Sequence, residues 1–420
     1  MNRFPASIGV LLLLLVPCGP AAGQATEPAF RMVEAKGQPT RVLTLGLERR
    51  SPGQPVVILQ SGFGSPMELW GSVPQGVAQF APVVAYDRPG IGGSPFHGSP
   101  PTLDRVTDHL GALLAVLDAP PPYILVGHSW AGPLIQDYAG KHPQDVVGMV
   151  FVDPTDWTAD GFPVDRAVLA NLGFEPAEVA SMEAELEAFL DNFYSQAPPG
   201  IQAEEQVSQS FMAMSVEERG LPELLPVPTA VLLAGRSEPL PPGAPEFFDE
   251  RFDRARRVGR ISSFREMVLD LPEATLVVAT YAGHYVHTDD PGLLVEAIRR
   301  VAFPSLAPQL ARAVEQGAAT DLVDTYKELK ARYPAERFNE NLLNALGYDL
   351  LRGGRVDEAI AVFELNVAEY PSAWNPYDSL GEAYMVKGDR EKAVANYRKS
   401  LDLNPNNENA ARMLERLLGG

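Results

Sequence analysis

Seven apolar runs between residues 41 and 280 constrain the fold of this 420-residue chain more than any other feature. Several are unbroken stretches of valine, isoleucine and leucine, which are typical of strands buried on both faces of a mostly parallel sheet. Residues 103–117, between two of the runs, have helical spacing. The alternation predicts an α/β fold, a doubly wound and mostly parallel sheet over residues 30–303. The predicted strands are 41–47, 55–60, 82–86, 123–126, 146–152, 229–234 and 274–280.

The strand pattern lapses over residues 154–228, where the spacing is mostly helical. A long insertion of this kind in an α/β domain usually carries function, and we expect a helical cap over the site. The insertion holds 14 acidic and only 2 basic residues, in a chain of net charge −20. We therefore expect an acidic entrance that favours neutral or cationic substrates. The absence of a long basic run argues against a nucleic acid partner.

Residues 1–25 have the order of a secretory signal peptide: Arg3, an apolar run over residues 8–16, and then small residues. The run is too short for a spanning helix, which needs about 20 residues. We expect an exported protein, periplasmic or secreted, without a transmembrane helix. Lipidation of Cys18 is the alternative, but Pro17 directly before it is a poor fit. Cys18 is also the only cysteine in the sequence, which excludes a disulfide framework and a cysteine-built zinc site.

Residues 308–420 have a helical pattern throughout and contain a repeat. The dipeptide Leu-Gly, an alanine, an aromatic residue and a proline each recur 34 positions later. This pattern resembles the tetratricopeptide repeat (TPR), with copies at about 340–373 and 374–407. Each helix pair exposes an apolar face that only a neighbour buries, so we expect the helical stretch 308–333 to act as an upstream partner. The resemblance implies a surface for a protein partner or for self-association.

The strongest functional signal is the segment 127–132, Gly-His-Ser-Trp-Ala-Gly, between a predicted strand and a helical stretch at 133–141. A turn this tight needs small flanking residues and strains its central residue. The segment resembles the nucleophile elbow of the α/β-hydrolase family, Gly-x-Ser-x-Gly, although Ala131 stands at the position of the last glycine. The resemblance implies that Ser129 is the nucleophile of a serine hydrolase.

A serine hydroxyl needs a base, and in this family the order along the chain is serine, acid, histidine. His284 follows the last predicted strand, with Gly283 before it and Pro291 soon after, as the family's base does. His287 is read as a surface residue rather than a local helper. Two histidines at this spacing suggest a metal pair, but no third ligand cluster is visible, and we expect neither metal nor cofactor.

The family places its acid after the strand that follows the cap, in the pattern Gly-x-x-Asp. Glu238 occupies that position, with a side chain one methylene longer than that of aspartate. The sequence therefore favours Glu238 as the residue that orients the imidazole. Asp153, directly after the strand 146–152, where some relatives carry the acid, and Asp156 remain as alternatives.

Acyl transfer also needs donors for the developing oxyanion. The resemblance implies the backbone N–H of Trp130 and that of Phe63, in the loop 61–65 that follows the second predicted strand. Ser61 replaces the histidine that is usual in this loop. The segment 86–94 resembles the family's Asp-x-x-Gly-x-Gly-x-Ser, and we expect it to support the active-site loops rather than to catalyse.

A serine nucleophile argues against relatives that use a carboxylate nucleophile. We expect an exported enzyme that cleaves an ester or related acyl bond of a small molecule through an acyl-enzyme. Two alternatives remain open: an aminopeptidase-type amide hydrolase, which needs cap carboxylates to bind an amine, and a catalytically weak binding protein whose repeats do the work. Six arginines between residues 251 and 265 are expected to form a solvated helix face.

Overall fold

The fold is described from a computed structural model of the chain. It describes residues 30–159, 166–237, 245, 250–271, 273–316 and 319–419. The predicted signal segment and Glu238 lie outside these residues. The chain divides into two compact units, Met1–Pro304 and Ser305–Gly420, and each is considered by itself.

The first unit is built on an eight-stranded sheet with the order β1-β2-β4-β3-β5-β6-β7-β8. β2 pairs antiparallel with β1 and β4, and the other pairings are parallel. The predicted doubly wound, mostly parallel α/β fold is therefore confirmed. The strands are β1 Arg31–Ala35, β2 Gln38–Leu45, β3 Val56–Gln60, β4 Val83–Tyr86, β5 Tyr123–His128, β6 Val146–Val152, β7 Thr229–Ala234 and β8 Ala274–Ala279.

Strand β1 is absent from the sequence prediction. It lies at the edge of the sheet, and only Ala35 among its five residues is buried. An edge strand with so little burial has no apolar run that would reveal it. The strands that were predicted lie inside the sheet or carry longer apolar runs.

Helices cover both faces of the sheet, and this requires central strands that are apolar on both sides. Along β6, Phe151 packs into one buried cluster, with Leu134 and Trp157, whereas the next-door Val150 packs into the other, with Ile298. Successive side chains of a strand point to opposite faces, so an unbroken apolar run is what such a strand needs. The helices of this unit are α1 Val73–Val77, α2 Leu103–Val116, α3 Ala131–Lys141, α4 Arg166–Asn171, α5 Pro176–Tyr194, α6 Pro199–Ala213, α7 Glu250–Leu269, α8 Val286–Asp289 and α9 Pro291–Ala302.

The insertion between β6 and β7 contains α4, α5 and α6. Helix α7, which follows β7, packs onto this group, because Phe252 shares a buried cluster with Leu169 and Met182. The carboxylate of Glu204 in α6 accepts a hydrogen bond from the N–H of Gly64, in the loop after β3. We refer to α4, α5 and α6 as the cap.

The second unit is helical, as predicted. Two helix pairs, α12 with α13 and α14 with α15, repeat the same contact: a Cβ on Gly347 would lie 2.4 Å from the Phe363 ring, and one on Gly381 would lie 3.1 Å from the Tyr397 ring. The recurring glycine thus admits the recurring aromatic residue. The helices are α10 Leu306–Gln316, α11 Ala319–Arg332, α12 Glu340–Arg352, α13 Val356–Glu369, α14 Trp374–Lys387, α15 Arg390–Leu403 and α16 Glu408–Leu418.

Helices α10 and α11 form a further pair that packs on α12 and α13. Across the described ranges of both units, none of the helices combines the length and the apolar character needed to cross a membrane.

Candidate active site

Ser129 lies on the turn between β5 and α3, at the carboxyl end of the sheet. Its φ of 52° is in the left-handed region, which is strained for a residue with a side chain. A Cβ on Gly127 would lie 2.8 Å from the carbonyl oxygen of Ala131, and one on Gly132 would lie 2.1 Å from the Trp157 ring. These two positions therefore require glycine. Position 131, which departs from the family pattern, accommodates a buried alanine.

Backbone hydrogen bonds place Ser129 and Asp153 at the ends of neighbouring strands. The N–H of Ser129 donates to Val152 O at 3.0 Å, and the N–H of Asp153 donates to Leu232 O at 2.7 Å. Both bonds continue the parallel ladders of the sheet. Asp153 also has a positive φ, of 39°. Strained backbone of this kind concentrates at functional sites, and here it occurs at both strand ends.

The carboxylate of Asp153 is 1% exposed and accepts four hydrogen bonds. Oδ1 accepts from the N–H of Ala234 at 2.7 Å and from Nη2 of Arg260 at 2.6 Å. Oδ2 accepts from Nη1 of Arg260 at 3.1 Å and from Nδ1 of His284 at 2.6 Å. Burial alone would raise the pKa of Asp153, but the Arg260 ion pair and the His284 hydrogen bond outweigh it and hold the pKa well below its usual range. Asp153 is therefore ionised at neutral pH.

Of the three acid candidates, two lie in described residues, and one of these two contacts His284. Glu238, which the sequence favours, lies outside the described residues. Asp156 accepts hydrogen bonds within its own loop, from the N–H of Thr158 at 3.1 Å and from its Oγ1 at 2.8 Å. Asp153 is the described carboxylate that contacts the His284 imidazole.

His284 lies on the loop after β8, with 34% of its side chain exposed. Its carbonyl oxygen accepts a hydrogen bond from Nε2 of His128 at 2.9 Å, and the N–H of Gly283 donates to Asp289 Oδ2 at 2.8 Å. These bonds anchor the backbone on both sides of the imidazole. Because an ionised Asp153 only accepts hydrogen bonds, Nδ1 of His284 carries a proton, and Nε2 is the nitrogen left to act as a base.

His287 is buried, which corrects the expectation of a surface residue. It is 2% exposed, and its ring lies 4.8 Å from that of Trp70. Burial, with a smaller contribution from His284, lowers the pKa of His287 to about 3. Burial also lowers the pKa of His128 well below its ordinary value. Among the described residues, no group of three or more His, Cys, Asp or Glu side chains is arranged to hold a metal ion.

The loop 61–65, which carries the predicted oxyanion donor Phe63, lies directly against the nucleophile turn. A Cβ on Gly62 would lie 2.7 Å from Nδ1 of His128 and 3.1 Å from Cβ of Ser129, so the approach needs a glycine. The Phe63 ring packs edge-on against Tyr194 of α5, with ring centroids 5.1 Å apart. The other predicted donor, Trp130, is the N-cap residue of α3.

The segment 86–94 supports the loop 61–65, as the sequence predicts, because Arg88 donates to the carbonyl oxygens of Ser61 and Gly62. The buried carboxylate of Asp87 accepts from the N–H of Met67 at 2.7 Å and from that of Gly93 at 2.8 Å. The hydroxyl of Ser94 donates to the carbonyl oxygen of Asp87 at 2.8 Å. The side chain of Asp87 therefore joins the backbone at Met67 to the backbone of its own segment at Gly93.

The arginine-rich helix α7 is not only a solvated face. A pocket of about 180 Å³ is lined by Asp153 and His284 and also by Arg236, Arg257 and Arg260. The Arg260 side chain is 15% exposed and is ion-paired with Asp153. Sequence reasoning missed this role, because 107 residues separate the partners and the arginine run itself was the only local signal. Both arginines and aspartates line this pocket. The acidic composition of the insertion, on which we based the expectation of an acidic entrance, therefore does not predict the charge of this pocket.

The chain matches two family models, one described as the alpha/beta hydrolase family over residues 56–298 and one described as a tetratricopeptide repeat over residues 374–407. It is 26% identical to an AB hydrolase superfamily protein of Gibberella zeae over 311 residues, covering 66% of this chain and 92% of that protein.

Two further relatives match over shorter segments. The chain is 37% identical to the probable transporter efuK of Hormonema carpetanum over 121 residues, covering 28% of this chain and 17% of that protein. It is 29% identical to the lipase LipV of Mycobacterium tuberculosis over 150 residues, covering 34% of this chain and 55% of that protein. The chain thus spans less than two thirds of the length of these two relatives.

Proposed function

Because the chain belongs to the alpha/beta hydrolase family, we propose that its first unit is a serine hydrolase that cleaves an ester or related acyl bond of a small molecule. One observation carries the proposal: a buried, ionised Asp153 lies 2.6 Å from Nδ1 of His284, at the strand end beside the strained Ser129. A carboxylate in that position holds the imidazole in the tautomer whose Nε2 accepts the serine proton. The resemblance to a lipase, LipV, agrees with an ester substrate.

In the proposed reaction, Oγ of Ser129 attacks the substrate carbonyl carbon while Nε2 of His284 takes the hydroxyl proton. The charge that develops on the carbonyl oxygen is stabilised by the N–H groups of Phe63 and Trp130. The bond to the leaving group then breaks, and the alcohol leaves with the proton from His284. Water, deprotonated by the same nitrogen, attacks the acyl-enzyme and releases the acid, which restores the Ser129 hydroxyl.

An aminopeptidase needs a cap carboxylate that is free to bind an amine. Glu204 is the fully buried carboxylate of the described cap, and both of its oxygens are already bonded, one to Arg88 and one to the N–H of Gly64. Glu204 is therefore committed to Arg88 and to the loop after β3, and it is not the carboxylate that an amine-directed enzyme would use.

The test is active-site labelling together with ester hydrolysis. A fluorophosphonate probe is expected to label the protein, and Ser129→Ala is expected to abolish the labelling and to reduce p-nitrophenyl butyrate hydrolysis by at least about 10³-fold. Ser210→Ala, which removes an exposed hydroxyl from α6, serves as the matched control and is expected to behave as the wild type. Equal labelling and turnover in the two variants would contradict the proposal.

We also propose that the enzyme is exported and that the signal segment is removed by cleavage after Gly23 or after Ala25. The proposal is supported by the charged start, the leucine run and the small residues of the sequence. Intact-mass measurement of the protein recovered from its producing cells is expected to give a chain that begins at Gln24 or Thr26. A recovered chain that retains Met1 would overturn it.

A further inference from the structure

Arg88 and Glu204 form an ion pair beneath the loop that carries Phe63. Nε and Nη2 of Arg88 both lie 2.7 Å from Oε1 of Glu204, and the side chains are 2% and 1% exposed. Arg88 follows β4, whereas Glu204 belongs to cap helix α6. Two charges this deeply buried are costly unless each is fully hydrogen-bonded, so their remaining partners are informative.

Those partners are backbone groups of a single loop. Arg88 donates to the carbonyl oxygen of Ser61 and, through Nη2 at 2.7 Å, to that of Gly62. Oε2 of Glu204 accepts from the N–H of Gly64 at 2.8 Å. The bonds therefore hold the loop on both sides of Phe63.

The bond to Gly62 has a specific consequence for the oxyanion donor. The carbonyl group of Gly62 and the N–H of Phe63 belong to the same peptide unit, which is planar, so a trans unit points them in opposite directions. Arg88 holds this carbonyl oxygen together with the N–H of Ser65, which bonds it at 3.2 Å, and the two bonds fix the direction of the Phe63 N–H. A cationic donor on the carbonyl also polarises the peptide and makes its N–H a stronger donor.

We propose that Arg88 and Glu204 are positioning residues for the oxyanion hole. Arg88 orients the peptide that presents the Phe63 N–H, and Glu204 holds Arg88 and joins the loop to α6. The inference rests on the proposed hydrolase function and deepens it, because it assigns a role in turnover to a cap residue that lies outside the triad.

A role in positioning the oxyanion donor affects kcat, whereas a role in stabilising the fold alone affects Tm. The oxyanion exists only in the transition state and the tetrahedral intermediate, so a misdirected N–H lowers kcat and leaves ground-state binding nearly unchanged. Loss of a whole oxyanion donor costs about 10²–10³-fold in kcat in other serine hydrolases. For a donor that is misoriented but retained, we expect about 10–100-fold.

The test compares Glu204→Gln and Arg88→Lys with Gln202→Ala. Gln202 is on the same helix, and its Nε2 bonds to Ser195 O and Ala197 O inside the cap without reaching the loop. For each variant we would measure kcat and KM for p-nitrophenyl butyrate, inhibition by an arylboronic acid that forms a tetrahedral adduct with the serine, and Tm. Lysine keeps the charge of Arg88 but cannot make all of its bonds at once.

The expected result is a kcat loss of about 10–100-fold in Glu204→Gln and Arg88→Lys, a KM within about threefold of the wild type, and boronate binding weakened in parallel with kcat. Gln202→Ala should keep kcat within about twofold. A lower Tm with unchanged kcat and boronate affinity, in whichever of the two variants folds, would overturn the inference. Failure of the proposed function would look different, because the wild type itself would then be neither labelled nor active.

Discussion

Replacing Asp153 by asparagine tests the most consequential feature of the site, the carboxylate on His284. The substitution keeps the shape of the side chain and removes its charge. Asp153 accepts four hydrogen bonds, two on each oxygen, and an amide has only one oxygen. If the amide nitrogen faces His284, the imidazole must carry its proton on Nε2, and that tautomer cannot accept the serine proton.

The expected cost is about 10⁴-fold in kcat, the loss known for the same change in a serine protease triad, which corresponds to about 5 kcal/mol of transition-state stabilisation. Folding stability should fall as well. Arg260, with 15% of its side chain exposed, loses its anionic partner but keeps its hydrogen bond to the carbonyl oxygen of Pro154 at 2.8 Å, so the loss should be smaller than the about 3–5 kcal/mol that breaking a fully buried pair costs. The assay temperature therefore has to lie below the Tm of the variant, as measured by circular dichroism.

The matched variant is Glu238→Gln, the same change at the acid that the sequence favours. Its activity should stay within about twofold of the wild type if Asp153 orients His284. The opposite pattern, an active Asp153→Asn enzyme and an inactive Glu238→Gln enzyme, would refute the reasoning from geometry. Measuring kcat/KM for p-nitrophenyl butyrate on both folded variants decides between them.

Two further predictions concern the loop and the buried histidines. Gly62→Ala should lower kcat by at least about 10-fold, because its Cβ would meet Nδ1 of His128 at 2.7 Å and push the loop away from the nucleophile; wild-type turnover would contradict this contact. Burial lowers the pKa of His109 to about 4 and that of His287 to about 3, from 6.5. The unfolded chain therefore binds more protons below pH 6.5, and each histidine should cost about 2 kcal/mol of stability at pH 5, so the urea midpoint of the first unit should fall between pH 7 and 5 rather than stay constant.

The nucleophile turn could be predicted from the sequence because every requirement is local. Ser129 needs a positive φ, and Gly127 and Gly132 remove the Cβ atoms that would collide with Ala131 and Trp157. The strand before the turn and the helix after it follow from short-range patterns. The central strands were predictable for a related reason, since burial on both faces leaves an apolar run that is visible without knowledge of the neighbours.

The contact between Asp153 and His284 could not be predicted in the same way. It joins residues 131 positions apart, and both Asp153 and Glu238 follow strands of the sheet. A choice between them depends on the path of the loop after β8 and on the charge of Arg260, which itself comes from a helix that the sequence identified only as basic. Nothing in the local pattern around Asp153 distinguishes a carboxylate that caps a strand from one that receives an imidazole.

The bond from Glu204 to the loop at Gly64 has a consequence for how such enzymes change substrate over evolution or by design. Caps are attractive parts to exchange, because the strands that position the nucleophile lie outside them in the sequence. In this protein, a transplanted cap that lacks a carboxylate at the position of Glu204 on α6 would leave the buried Arg88 without its ion-pair partner. A chimaera of this kind would inherit an intact Ser129 and His284 and yet be slow. Donor caps should therefore be chosen for that one carboxylate before they are chosen for the shape of their pocket.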